Sequence, residues 1–133
     1  MNKERIAYVI ELLSGIRDSA WNYGTWAEDF DTEDGKALPI CGTVACAAGW
    51  MGMDPKIRAE GFYITANGSP AFEDDRQTWA IAAYLGISYV DATDIFINLH
   101  DAMGYDDDGD PCTPDAVTPG MVASALQSLL NRG

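Results

Sequence analysis

Basic residues are scarce in this chain, and their scarcity argues against several functions. Eight Lys and Arg stand against twenty-one Asp and Glu, which gives a formal net charge of −13 in 133 residues. Such a charge repels phosphate backbones and anionic lipid, so we expect no direct binding to nucleic acid or to a membrane. It favours basic protein surfaces, including those that normally hold nucleic acid. The alternative is a solvated face that only keeps the protein in solution.

Long apolar runs and the residue pattern typical of a secretory leader are also missing from the sequence. No run reaches bilayer-spanning length, and no small-residue cleavage site follows the short apolar stretch near the start of the chain. Three cysteines, an odd and low number, do not fit a secreted disulfide scaffold. We therefore expect one compact cytoplasmic domain over residues 1–133.

Apolar periodicity predicts a mostly α fold, α+β with a minor β-hairpin, of about five to six helices. Residues 3–14 carry apolar side chains at i, i+3, i+4 and i+7, and the small residues of 43–53 favour a central buried helix. Asn67-Gly68 predicts a hairpin over 62–72, expected to be the only β structure. Further helices are predicted over 54–60, with Asp54 as N-cap, over 75–85, over 88–103, with Ser88 and Asp91 as a variant capping box, and from 118 onward. Acidic loops are predicted at 28–39 and 104–117.

The segment 41–50 reads CGTVACAAGW and is the most distinctive in the chain. As a glycine-containing entry into a helix, it would offer free N–H groups and the helix dipole to an anion. A nucleotide would also need cations, and few are available near this helix. The candidate ligand-binding residues are Cys41, Gly42, Thr43, Val44, Cys46, Trp50, Lys56, Arg58 and Arg76.

Two other interpretations of the same segment stay open. A cysteine at a helix start has a lowered pKa and is a better nucleophile, with His100 as the base and Asp94 or Asp101 as its orienter. Alternatively, both cysteines of the segment are small core residues and Thr43 is the N-cap of the helix.

We predict no metal and no cofactor. Three cysteines and one histidine could form a zinc set, but Cys41 and Cys46 are five residues apart and would point in different directions on one helix. The acidic run 106–110 fails the calcium-loop pattern, which needs Gly at position 6 and Glu at position 12. The residues predicted to contact a partner are Trp21, Tyr23, Trp26, Asp106, Asp107, Asp108 and Asp110.

The run 41–50, followed by Asp54-Pro55, Arg58 and Gly61, resembles a family of small, functionally uncharacterised proteins of tailed phages and prophages. Its members pair a CGTxxCxxG box with a downstream A…LG(I/L)S…LF stretch, to which 83–96 is similar. The aromatic segment 21–26 is similar to their F-x-M-x-x-W, with Trp and Tyr in the first two places. The resemblance covers roughly 21–130 and implies a phage setting without catalytic residues.

Together, the resemblance, the small size and the acidity favour an accessory phage protein that acts by binding. Its expected partner is a host protein, such as a defence factor with a basic nucleic-acid-binding surface, which it would inhibit. A small-ligand binder that sequesters a nucleotide signal, a cysteine-dependent enzyme and a structural subunit are the alternatives. The sequence leaves the oligomeric state open.

Overall fold

The computed structural model describes residues 1–105 and 107–132, and over these ranges it is an α+β fold of seven helices and five strands. The helices are α1 (Lys3–Leu13), α2 (Ala47–Met53), α3 (Pro55–Ala59), α4 (Thr78–Leu85), α5 (Tyr89–Phe96), α6 (Leu99–Ala102) and α7 (Pro119–Arg132). The strands are β1 (Ala27–Glu33), β2 (Lys36–Ala45), β3 (Phe62–Ile64), β4 (Pro70–Phe72) and β5 (Asp75–Arg76). No helix in the described ranges is long and apolar enough to cross a membrane.

Several predicted helices and their caps are confirmed. Asp54 accepts hydrogen bonds from the backbone N–H groups of Lys56 and Ile57 and so begins α3. Ser88 accepts from the N–H of Asp91 at 3.0 Å and begins α5. These side chains satisfy N–H groups that have no partner inside the helix, and so they fix where each helix begins.

The small hairpin predicted over 62–72 is present, but the expectation that it is the only β structure is wrong. It forms a three-stranded antiparallel sheet in the order β3–β4–β5. A second antiparallel pair, β1 with β2, occupies most of the predicted acidic loop 28–39. Its turn is Asp34-Gly35, with φ of +54° and +76°, the backbone that a tight hairpin turn demands. The fold is therefore richer in strand than the predicted mostly α fold.

The helix predicted over 43–53 begins four residues later than expected. Strand β2 continues to Ala45, and Cys46 is the N-cap residue of α2. The backbone N–H of Cys46 donates to the carbonyl of Thr25 at 2.8 Å, which holds the end of the strand against the preceding loop. The predicted helix start at Gly42–Val44 and the predicted N-cap role of Thr43 are therefore wrong.

The helix predicted over 88–103 is interrupted at Ile97-Asn98. The Tyr23 hydroxyl donates to the carbonyl of Ile95 at 2.7 Å and accepts from the N–H of Leu99 at 2.9 Å. In a continuous helix those two backbone groups would bond to each other, because Leu99 follows Ile95 by four residues. The inserted hydroxyl therefore replaces one backbone hydrogen bond of the helix and separates α5 from α6.

Helix α2 lies at the centre of the packing and approaches its neighbours closely. A Cβ added to Gly49 would lie 1.7 Å from the carbonyl oxygen of Trp26, and one added to Gly52 would lie 2.5 Å from Ile64 Cγ1. Both glycines are buried. The small residues of this segment therefore do what the sequence indicates, which is to let other elements pack against the helix.

Replacing Gly49 with alanine should destabilise the fold by about 1–3 kcal/mol or more, because the new methyl group overlaps backbone that cannot move aside. Gly120→Ala is the matched control. It lies in the first turn of α7, where an added Cβ has only Thr118 Oγ1 nearby, at 3.9 Å. Urea unfolding measures both variants; equal stability of the two would contradict the close packing of α2.

Candidate functional site

The CGT part of the 41–50 segment forms a bulge between β1 and β2. Glu28 pairs with Val44, but the next pair is Phe30 with Pro39, so Asp29 alone lies opposite residues 40–43. Asp29 and Gly42 both have positive φ, at +56° and +98°. The extra residues of β2 loop outward and expose Ile40, Cys41 and Gly42.

Thr43 closes this bulge from the inside. Its side chain is buried, and its hydroxyl donates to the carbonyl of Asp29 at 2.6 Å and accepts from the N–H of Ile40 at 2.8 Å. Both backbone groups lie where the regular ladder is broken, so the hydroxyl supplies partners that the neighbouring strand cannot. Thr43 is a structural residue of the bulge.

The remaining residues of the segment are also occupied by the fold. Cys46 is buried, and its thiol points to the carbonyl of Trp26, with sulfur and oxygen 3.9 Å apart. The indole N–H of Trp50 donates to the carbonyl of Ala20 at 2.8 Å. Together with the close packing at Gly49, these contacts show that most residues of the 41–50 segment stabilise the fold.

Two of the three candidate cations, Lys56 and Arg76, already have partners away from the 41–50 segment, whereas the buried Arg58 Nε has none among the described residues. The Lys56 ammonium lies 4.2 Å from the centroid of the Tyr8 ring. Arg76 Nη1 donates to the carbonyl oxygens of Glu73 and Asp75. Arg58 lines a cavity of about 470 Å³ that also includes Glu33, Asp34 and Lys36. The predicted anion site depended on free N–H groups and a helix dipole at Gly42. No helix begins there, so these features are absent from that position.

The geometry also weakens the cysteine-enzyme interpretation. Burial raises the pKa of the Cys46 thiol to about 11, so it is protonated and a poor nucleophile near neutral pH. His100 packs edge-on against Tyr23, with ring centroids 6.3 Å apart, and its Nε2 lies 3.5 Å from the carboxylate of Asp101. Within residues 1–105 and 107–132, no group of three His, Cys, Asp or Glu is placed to hold a metal ion.

The three aromatic residues predicted to contact a partner are largely built into the core. Tyr23 is buried and divides α5 from α6. The half-buried Trp21 donates its indole N–H to the carbonyl of Val117 at 2.7 Å. Trp26 is half-buried and lines a cavity of about 410 Å³ with Tyr23 and His100.

A bridge between Tyr105 and Pro111 closes the base of the loop that carries Asp107, Asp108 and Asp110. Asp107, Asp108 and Asp110 are exposed on it. Asp106 lies outside the described residues.

Sequence reasoning missed an exposed aromatic pair, Trp79 and Tyr89. Trp79 is 58% exposed and stacks on Tyr89, which is 40% exposed. The ring centroids are 4.2 Å apart and the rings are inclined by 28°. A signal was present in the sequence: Trp79 sits at the start of α4 next to a polar, acidic turn, where an inward-facing residue is not required.

A second surface feature that the sequence did not predict is an ordered acidic hairpin. This acidic hairpin is residues 27–36 and comprises β1, its turn and Lys36. Its five acids are all exposed, and Lys36 is its one base. The acids are Glu28, Asp29, Asp31, Glu33 and Asp34.

Comparisons with known proteins return no match: no family model fits the chain, and neither curated proteins nor solved structures match it.

Replacing Thr43 with valine should cost about 1–3 kcal/mol, because it leaves two backbone groups of the bulge without a partner. The amide of Ile40 should also exchange faster with deuterated solvent. Thr32→Val on exposed β1 is the matched control and should change stability little. A Thr43→Val protein of unchanged stability would show that the hydroxyl does not hold the bulge.

The cysteines should differ sharply in reactivity. Cys41 is exposed, whereas Cys46 is buried with a raised pKa. In a Cys112→Ser background, iodoacetamide at pH 8 should label Cys41 about as fast as a free peptide thiol and Cys46 only after denaturation. Intact-protein mass spectrometry with peptide mapping reads out both sites. Rapid labelling of native Cys46 would revive it as a reactive residue.

Proposed function

We propose that this protein is an accessory protein of a phage or prophage that acts by binding and inhibiting a host protein with a basic surface. The acidic hairpin is the observation on which the proposal rests. A strand holds its side chains at fixed spacing, unlike a flexible acidic loop, so the carboxylates form an ordered array. An ordered array of one sign is what a basic groove recognises.

Contacts with the body of the protein support the hairpin as a preorganised surface. The carbonyl of Gly35 accepts from the N–H of Ala66 at 3.1 Å, and Lys36 bridges to Thr65. Phe30 packs against the small core cluster that contains Ala37 and Met53. Binding would therefore cost little ordering entropy, since the turn and one face of the hairpin are already held.

The overall charge supports the same partner class. A net charge of −13 accelerates encounter with a cationic surface and suppresses binding to nucleic acid itself. The phage setting comes from the resemblance of the 41–50 segment and its flanking motifs. Because the fold occupies most of that segment, binding through the surface is better supported than ligand binding or catalysis at the cysteines.

Acids on β1 have a second possible use, which the experiment must separate from binding. Within the described residues β1 pairs only with β2, and charged side chains protect such an edge from pairing with other molecules. If protection were their sole role, neutralising them would cause self-association without loss of partner binding.

The test is capture from a lysate of the bacterial host with tagged protein, followed by association kinetics with the purified partner. The triple variant Asp29→Asn, Asp31→Asn, Glu33→Gln should slow association about tenfold at low salt, because the attraction that steers encounter is reduced. Asn tolerates the positive φ at position 29, so the bulge should persist.

Glu4→Gln, Glu11→Gln, Asp94→Asn is the matched control, since it removes the same charge from exposed helical positions. A further variant, Asp107→Asn, Asp108→Asn, Asp110→Asn, tests the predicted loop acids separately. If the hairpin and control variants slowed association equally, net charge alone would explain the effect, and the hairpin would not be the binding surface. Capture of nothing above background would overturn the proposal.

A further inference from the structure

The aromatic stack, defined as Trp79 and Tyr89, is a large apolar surface that the core does not use. Trp79 lies in the first turn of α4, and Tyr89 is the first residue of α5. Each ring covers one face of the other, and more than half of Trp79 remains exposed. Tryptophan and tyrosine are the residues most often responsible for binding energy at protein interfaces.

Stacking also prepares the pair for binding. Each ring limits the rotamers of the other, so less side-chain freedom is lost when a partner covers them. The remaining ring faces carry the negative potential of the aromatic π system, which attracts cations. Arginine matches such a face best, because its guanidinium is planar and weakly hydrated.

The charges near the stack favour a cationic occupant. The turn that precedes α4 carries Glu73, Asp74 and Asp75, of which Glu73 and Asp74 are exposed. Arg76, the basic residue of that turn, donates hydrogen bonds to backbone carbonyls of the turn. Asp91, in the first turn of α5, already pairs with Arg132, with oxygen and nitrogen 3.9 Å apart. The acidic turn next to α4 therefore adds to a net charge of −13 that already favours a cationic partner.

Elsewhere in the described residues, three cations already lie over tyrosine rings. Arg5 lies 4.4 Å from the Tyr84 ring centroid, Lys36 lies 5.1 Å from that of Tyr63, and Lys56 lies 4.2 Å from that of Tyr8. Trp79 and Tyr89 instead present ring surface to solvent. Self-association through this surface is disfavoured by the charge of −13 on each copy.

We propose that the aromatic stack is the anchor onto which the basic partner places an arginine side chain. This inference rests on the proposed function and adds to it the residue class that the partner must present. The acidic hairpin would govern the rate of encounter, and the stack would govern the lifetime of the complex.

Two probes of equal length and charge separate the two surfaces: hexa-arginine and hexa-lysine. Calorimetric titration at one ionic strength should show hexa-arginine binding about three- to tenfold more tightly, since the planar, weakly hydrated guanidinium stacks on the rings better than an ammonium does. Trp79→Ala and Tyr89→Ala should each remove most of this preference and weaken hexa-lysine binding much less than hexa-arginine binding. Trp79→Phe, which keeps a ring, should retain part of it.

Tyr105→Ala is the matched control, because Tyr105 is 75% exposed and lies outside the stack. Circular dichroism and thermal melting confirm that each variant is folded. Equal affinity for the two peptides, or an unchanged preference in Trp79→Ala, would overturn the inference and leave the proposed function standing. Failure of both peptides to bind would contradict the proposed function as well. A dimer that dissociates in Trp79→Ala would make the stack a self-interface and also overturn the inference.

Discussion

The close packing of α2 against the segment before β1 is the constraint on which the rest of the structure depends. The carbonyl of Trp26 occupies the space that a side chain at Gly49 would need. This approach brings α2 into contact with both sheets, with α1 and with α3. It also sets Trp50 against Ala20 and directs the Cys46 thiol to the Trp26 carbonyl. A motif with two cysteines and a glycine, which invites a chemical interpretation, here has a packing explanation.

Local signals in the sequence were sufficient for several elements. Apolar spacing predicted α1 and α7, and Asp54 and Ser88 marked the starts of α3 and α5, because these depend on neighbouring residues alone. The β1–β2 hairpin was missed because Asp and Glu are disfavoured in strands and obscured the Asp34-Gly35 turn. The break between α5 and α6 could not be predicted locally, because the hydroxyl that causes it comes from Tyr23, which precedes Ile95 by 72 residues and Leu99 by 76 residues.

For the candidate site, too, features set by neighbouring residues could be predicted, whereas features set by residues far apart in the sequence could not. The acidity of 28–36 and its exposure were predictable from composition, but its order as a strand was not. The exposure of Trp79 depends on how α4 and α5 meet, which periodicity alone does not specify. Chemistry-bearing residues that stood out in the sequence are largely internal, whereas the acids and rings that face solvent drew less attention. The functional question therefore moves from the 41–50 segment to the surface, where we propose that the acidic hairpin and the aromatic stack bind a basic partner.

Hydrogen–deuterium exchange of the protein, alone and with its captured partner, tests this account most directly. Complex formation should slow exchange in β1, whose outer edge and acids would be covered, and around Trp79–Val90, where the stack would be buried. Exchange in the bulge at residues 40–43 should change little, because Thr43 already holds it. Protection confined to the bulge and α2, with exchange in β1 and around the stack unchanged, would contradict the proposal. It would indicate that the 41–50 segment is the binding site.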